Sequence, residues 1–261
     1  MNETQYQVFD DFRNRFKKIV SNWNQQEVIL KELQKEAAQK AKTPDYPFET
    51  AVVYNKALDE ITLKDEIKLI VIGDNPGKDE QLTKNNKYLV GQAGKIAEGY
   101  FRKNPELKID FRKNVIILNK TPIHSAKTAQ LKDIAKNGGL PVSKLLEESQ
   151  RWMAQETASL LINLNRLANR HQDIVPTQIW LVGYSELKPK GIFSIYKNEL
   201  QNALKQTSDW NNTLVFQHFS MNRFTIDLNA YCEENKNAGK IRSLSQNIQE
   251  LGKKHRDEIF C

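Results

Sequence analysis

Polar side chains that can hold water or donate a proton follow three strand-like segments of this sequence. The apolar runs and the residues after them are 69–72 with Asp74 and Asn75, 115–118 with Asn119, and 214–216 with His218. Open α/β sheets carry their functional side chains at the carboxyl ends of the strands. The spacing therefore predicts that Asn75, Asn119 and His218 form a site at one edge of a sheet, although Asp-Asn-Pro-Gly is also the composition of an ordinary turn.

The elements that must position these residues alternate along the chain. A fourth apolar run lies at 179–183, and the stretches between the runs have helical periodicity. Such alternation is typical of a parallel sheet covered on both faces, so the sequence predicts an α/β fold. A long helix is predicted at 144–168 and a last amphipathic helix at 241–251.

The first 45 residues are predicted to form a helical extension. Phe9, Phe12, Phe16, Ile19 and Trp23 recur at helical spacing, which indicates an aromatic face that packs on the rest of the protein. The turn-rich residues 43–47 end this extension. We therefore divide the chain into an N-terminal helical extension at 1–45 and an α/β domain with a C-terminal helix at 46–261.

Composition excludes several classes of protein. The 261 residues contain no run long enough to span a bilayer and no leader, so we expect a cytoplasmic or nucleoid-associated monomer without a membrane partner. Cys232 and Cys261 are too few for a thiolate cluster or a disulfide framework. No histidine has the helical pairing with Glu of a zinc site, so we expect no metal and no cofactor. The four histidines are His124, His171, His218 and His255.

Positive charge is concentrated around Asn119. The formal net charge of the chain is +7, and residues 102–136 hold nine Lys or Arg against three Asp or Glu, a local balance of +6. A polyanion drawn to this region would be delivered to the predicted site. A solvated basic face without a ligand is the alternative. The cations that we select as DNA contacts are Lys103, Arg112, Lys113 and Lys120.

The order of the motifs resembles that of the uracil-DNA glycosylase superfamily over residues 65–225. The motifs are Gly-Asp-Asn-Pro-Gly at 73–77, Val-Gly-Gln-Ala-Gly at 90–94, Asn119 after a strand, and His-Phe-Ser at 218–220. The first is similar to the mismatch-specific and single-strand-selective branches, and the second to the thermostable bacterial branch. The resemblance implies a three-layer αβα fold with a four-stranded parallel sheet. It also implies base excision repair by hydrolysis of the bond between a damaged base and deoxyribose, with the nucleotide flipped out of the DNA stack.

The resemblance assigns a role to each strand-end residue. Asn75 matches an Asn that positions the attacking water in the branches with an Asn-Pro-Gly turn. Asp74 matches an acidic residue of the thermostable branch that can supply the same water contact. Both residues therefore remain candidates for this contact. Asn119 matches the amide that pairs with the carbonyl and N–H of uracil. His218 matches the donor to the uracil oxygen on which negative charge grows.

The same resemblance predicts the pocket walls and the DNA contacts. Gly77 stands where the most uracil-selective branch has a Tyr, which implies a roomier pocket. Leu89 matches the aromatic residue that stacks on the base, and its neighbour Tyr88 is our choice for that role because strand neighbours face opposite ways. The DNA-binding segment after His218 comprises Ser220, Met221 as a wedge, Asn222, and Arg223 as a phosphate contact.

Two departures from the family pattern are clear. This chain has Phe219 where relatives have Pro, and it lacks the four cysteine ligands of the thermostable branch, which removes an iron–sulfur cluster from the prediction. One alternative is a catalytically silent relative that binds DNA or a protein partner. The other is a nucleotide-binding enzyme in which residues 73–77 hold a phosphate, although the chain lacks the Gly-rich signatures of such enzymes.

Overall fold

Four short strands form a parallel sheet at the centre of the protein. The structure is a computed structural model that describes residues 1–168 and 175–261, so His171 lies outside the described residues. The strands are β1 (Leu69–Gly73), β2 (Val115–Asn119), β3 (Gln178–Val182) and β4 (Thr213–Phe216), in the order β2-β1-β3-β4. Nearly every strand residue is buried, which explains why the strands are apolar runs rather than alternating patterns.

Helices flank the sheet and complete the three-layer α/β fold that was predicted. They are α1 (Glu3–Trp23), α2 (Glu27–Lys40), α3 (Gln92–Lys103), α4 (Gln130–Asn137), α5 (Gly139–Ala168), α6 (Ser194–Leu204), α7 (Arg223–Asn237) and α8 (Leu244–Ile259). Short 3-10 helices lie at Asn24–Gln26, Lys56–Glu60, Pro105–Leu107, Tyr184–Leu187, Ser208–Asn212 and Ser220–Asn222. Within residues 1–168 and 175–261, none of the helices has both the length and the apolar character needed to cross a bilayer.

The N-terminal helices pack on the rest of the protein through aromatic side chains. Phe12 and Phe16 of α1 are buried, and both stack with Trp152 of α5 at ring distances of 6.4 and 5.5 Å. A capping box, in which Asn2 and Gln5 bond each other's backbone N–H, fixes the start of α1. The aromatic face of this helix is therefore a packing surface.

Two helix starts differ from the sequence prediction. Helix α5 begins at Gly139, five residues earlier than predicted, because Gly139 adopts a φ of +64° and lets one helix follow another directly. Helix α8 begins at Leu244, and the predicted core position Ile241 is fully exposed. The reason is a capping box between Ser243 and Gln246, which sets the helix start after Ile241.

Candidate functional site

A cleft of about 480 Å³ opens where all four strands end. The segments after β1, β2, β3 and β4 line it, as does the start of α3. The predicted residues that meet there are Asp74, Asn75, Gly77, Leu89, Asn119, His218, Ser220 and Arg223. Parallel strands bring their carboxyl ends to one edge of the sheet, and this is why residues far apart in sequence converge.

The amide of Asn75 is oriented by the loop after β2. Its Nδ2 donates to the carbonyl oxygen of Ser125 at 3.1 Å and to the Ser125 hydroxyl at 2.9 Å. These contacts leave Oδ1 as the free end of the amide, and no donor reaches it from residues 1–168 and 175–261. Asn75 thus offers a single acceptor whose direction is fixed by the fold.

A buried histidine holds the turn that carries Asn75. The Nδ1–H of His124 donates to the carbonyl of Pro76 at 2.8 Å, and the Ser125 N–H donates to the same oxygen at 3.2 Å. Tyr46 hydroxyl lies 3.0 Å from the other ring nitrogen. Sequence reasoning missed Ser125 and the role of His124. Their position within six residues of Asn119 was the available signal, because loops at one sheet edge lie side by side.

Asp74 is held by a buried cation. Its Oδ1 lies 2.5 Å from the ammonium of Lys120, and the Thr128 hydroxyl donates to its Oδ2 at 3.3 Å. Lys120 is fully buried and also donates to the carbonyl of Val182 at 2.6 Å. Burial lowers the pKa of Lys120, and the charge of Asp74 opposes that shift. Lys120 is therefore not a surface contact for DNA, as its position in a basic stretch had suggested.

Asn119 lies against a glycine at the floor of the cleft. A Cβ at Gly73 would overlap Asn119 Oδ1, so a larger residue there would displace this amide. Asn119 is 2% exposed, and its amide makes no hydrogen bond within the described part of the chain. An unsatisfied buried amide is costly, by about 1 to 3 kcal/mol, so this residue retains capacity for a ligand.

His218 is fixed in one tautomer by the residue after next. The Ser220 N–H donates to Nδ1 at 3.1 Å, and the Ser220 hydroxyl lies 2.8 Å from the same nitrogen. Because Nδ1 accepts, the neutral ring carries its proton on Nε2, which has no partner in the part of the chain that the structure describes. Burial lowers the pKa of His218. The charge of Asp74 opposes this shift, and the charges of Lys120 and Arg223 add to it. The ring is a neutral N–H donor.

The backbone at Phe219 has a conformation that a proline could also adopt. Phe219 adopts a φ of −65°, the value that a proline ring imposes, and its N–H makes no hydrogen bond to residues 1–168 or 175–261. Its fully buried ring packs on Phe111 and Phe224. Phe219 therefore anchors the turn after His218 through apolar contacts.

Glu80 is a wall residue that sequence reasoning missed. It lines the cleft while nearly buried, and it joins two loops by accepting the N–H of Gly77 at 3.2 Å and of Leu89 at 3.0 Å. Burial raises the pKa of this carboxyl to about 7. Leu89 has a φ of +51°, and the Arg112 guanidinium donates to its carbonyl at 2.8 Å. These contacts hold a strained backbone in place.

Several predicted residues lie elsewhere. Tyr88, our choice for stacking on the base, is buried outside the cleft, where its hydroxyl donates to the carbonyl of Val53 at 2.6 Å. Arg112 and Lys113 line a separate concavity beside β2, and Arg112 pairs with Glu98. Lys103 and Asn222 line a groove between α3 and α7. Met221 is 68% exposed next to the cleft. The basic stretch 102–136 therefore does not form one surface.

No three of the His, Cys, Asp and Glu side chains in the described ranges are grouped as metal ligands. Comparison with family models, with curated proteins and with solved structures found no match to this chain.

Proposed function

We propose that this protein is a monofunctional DNA glycosylase that hydrolyses the N-glycosidic bond of uracil, or of a related deaminated base, in DNA. It acts in base excision repair, with the damaged nucleotide flipped into the cleft. Its polymeric substrate makes the nucleoid its working location. The motif order in the sequence and the contents of the cleft both support this proposal.

One observation carries the proposal: three strand-end side chains each keep a hydrogen-bonding function that the described residues do not use. Asn75 keeps its Oδ1, Asn119 keeps its amide, and His218 keeps its Nε2. A water, a pyrimidine edge and a developing oxyanion require an acceptor, an amide and a donor. Structural polar groups are normally satisfied by the protein itself, so this set favours a ligand.

Asn75 is the residue that we assign to the attacking water. A water that donates one hydrogen to Oδ1 turns a lone pair away from the amide and toward the sugar carbon. An amide is no strong base, but the uracil anion is a good leaving group, and holding the water in place contributes much of the rate. Asp74 is less suited to this role because Lys120 and Thr128 already engage its two oxygens.

His218 stabilises the departing base. Its Nε2–H donates to the uracil oxygen on which charge develops, and a neutral ring suffices for this donation. The lowered pKa of His218 keeps the ring neutral at physiological pH. Asn119 selects the base, because an amide presents a donor and an acceptor that match the adjacent carbonyl and N–H of uracil and mismatch cytosine.

The wall of the pocket sets which bases fit. A Cβ at Gly77 would meet no atom within 4 Å, so this wall is open. Leu89 supplies an apolar surface where relatives have an aromatic ring. We therefore expect acceptance of bases larger than uracil, and Gly77→Tyr to restrict release to uracil. Base release from oligonucleotides that contain uracil, hypoxanthine, xanthine or mismatched thymine measures this range.

The decisive experiment is strand scission by alkali after incubation with an oligonucleotide that contains one deoxyuridine. We expect scission with the native protein, its loss in Asn75→Ala with retained DNA affinity, and a changed uracil-to-cytosine preference in Asn119→Asp. Asn14→Ala removes an exposed amide on α1 and is the matched control. A fully active Asn75→Ala beside an inactive Asp74→Ala would transfer the water contact to Asp74. Absence of scission on single- and double-stranded DNA, with salt-sensitive binding retained, would support the silent DNA-binding alternative instead.

A further inference from the structure

We propose that the groove between α3 and α7 binds the phosphodiester backbone of the DNA strand beyond the flipped nucleotide. The groove has a volume of about 540 Å³ and is separate from the cleft. The inference rests on the proposed function, since it takes DNA in the cleft as its starting point.

The charges of the groove suit an anion. Lys95, Arg102 and Lys103 line it from α3, and all three are exposed. Their spacing brings them to one side of the helix. Over residues 1–168 and 175–261, none of them pairs with a carboxylate, and the groove lining contains no Asp or Glu. When unpaired cations of a protein neutralise phosphates, the counterions condensed on the nucleic acid are released, and this release favours binding.

A buried hydroxyl supplies independent support. Tyr100 lines the groove while only 7% exposed, and its hydroxyl has no hydrogen-bond partner in the described residues. Burial raises the pKa of Tyr100, so the hydroxyl remains a donor. The hydroxyl itself has almost no accessible surface, so a phosphate oxygen accepts from it once the side chains that cover it shift. Within the described residues, an unused donor thus lies beside three unpaired cations.

The segment after His218 connects the groove to the cleft. Ser220 and Arg223 line the cleft, whereas Asn222 lines the groove. Met221 lies between them, and both Met221 and Asn222 adopt left-handed backbone, with φ of +53° and +57°. Residues other than glycine rarely adopt this conformation, and functional sites are among the places where it recurs. Residues 220–223 therefore lie between the cleft and the groove, and a single DNA strand can contact both surfaces along its length.

The test compares two double variants that each remove two positive charges. Arg102→Gln/Lys103→Gln changes the groove, and Lys18→Gln/Lys144→Gln changes exposed lysines that do not line it. Affinity is measured by fluorescence anisotropy with single-stranded DNA that contains one deoxyuridine, in an Asn75→Ala background. We expect the groove variant to lose about tenfold in affinity for a long strand and to lower the salt slope by about 1.5, with the control unchanged. A trinucleotide centred on deoxyuridine should bind both variants equally.

Tyr100→Phe tests the hydroxyl. We expect a fewfold loss of affinity for the long strand and no loss of thermal stability, because the hydroxyl has no partner in the described residues. Equal losses in the groove and control variants, or equal losses for the long strand and the trinucleotide, would overturn the proposal. So would a lower melting temperature in Tyr100→Phe.

Failure of the groove is distinguishable from failure of the proposed function. Base release from the trinucleotide depends on the cleft alone, whereas the affinity difference between the two double variants depends on the groove alone. Release without an affinity difference rejects the groove and supports the glycosylase. An affinity difference without release rejects the glycosylase and supports a groove that binds DNA.

Discussion

His124 and His218 follow the two outer strands of the sheet, and they differ in which ring nitrogens make hydrogen bonds. His124, after β2, is fully buried and uses both ring nitrogens, since Nδ1–H donates to the Pro76 carbonyl and Nε2 accepts from the Tyr46 hydroxyl. Among the residues that the structure describes, His218, after β4, uses only Nδ1, as an acceptor from Ser220. The two rings therefore carry their protons on different atoms.

The difference teaches that a strand-end position does not by itself give a histidine its role. Burial lowers the pKa of both rings, to about 4 for His124, so both are neutral at physiological pH. What distinguishes them is whether a nitrogen is left for a ligand. His124 stabilises the turn that carries Asn75, and under the proposed function His218 acts on the substrate.

The largest expected effect is on the rate of base release and follows from a change at His218. His218→Ala should slow base release by about 100- to 1000-fold, because it removes a donor to the developing oxyanion. Its melting temperature should stay near that of the native protein, since within the described residues the ring's hydrogen bonds are all to Ser220. Single-turnover release and thermal unfolding measure the two quantities. Full activity in His218→Ala would contradict the assignment.

The second effect concerns stability. His124→Ala should lower the free energy of unfolding by about 2 to 4 kcal/mol, because it leaves a cavity and removes a partner from the Pro76 carbonyl and the Tyr46 hydroxyl. Tyr46→Phe, which removes one of these hydrogen bonds, should cost about 1 kcal/mol. Chemical denaturation measures both variants. If His124→Ala were as stable as the native protein, the ring would not be the support of the turn.

The sequence was sufficient to predict the sheet and the convergence of three candidate site residues. Four apolar runs separated by helical stretches predict a parallel sheet, and strand-end position then brings Asn75, Asn119 and His218 together. Both predictions use patterns formed by residues that are close together in the sequence. They require no knowledge of which side chains touch.

The failures arise where a contact between distant residues decides the outcome. Lys120 belongs to a basic stretch, but its ion pair with Asp74 allows it to be buried. The choice of Tyr88 over Leu89 assumed strand alternation, whereas Leu89 has a left-handed backbone and the segment is not a strand. A local period does not apply to an irregular loop, and burial of a charge depends on a partner that composition cannot identify.

The pH dependence of stability gives the next effect. Unfolded His124 binds a proton near pH 6.5, but the folded pKa is about 4, so protonation favours the unfolded state as the pH falls through this window. The loss at pH 5 should be about 2 kcal/mol relative to pH 7. Glu80 acts in the opposite direction, because its raised pKa of about 7 stabilises the folded state as the pH falls.

The comparison of native protein with His124→Gln isolates the His124 contribution, since Glu80 titrates in both. The native protein should lose more stability between pH 7 and pH 5 than the variant, by the same 2 kcal/mol or so. Thermal melts at the two pH values give the difference. Equal losses would mean that His124 is protonated in the folded state at pH 5.

The smallest expected effect concerns the Ser220 hydroxyl that lies beside the His218 ring. Ser220→Ala removes a hydroxyl that lies 2.8 Å from Nδ1, but the backbone N–H of residue 220 still donates to that nitrogen. The tautomer should therefore persist, and base release should fall only fewfold, equivalent to less than about 1 kcal/mol. Ser143→Ala, which removes a hydroxyl on α5, is the control. A loss as large as that of His218→Ala would mean that the Ser220 hydroxyl itself contacts the substrate, because the backbone N–H alone is enough to fix the ring.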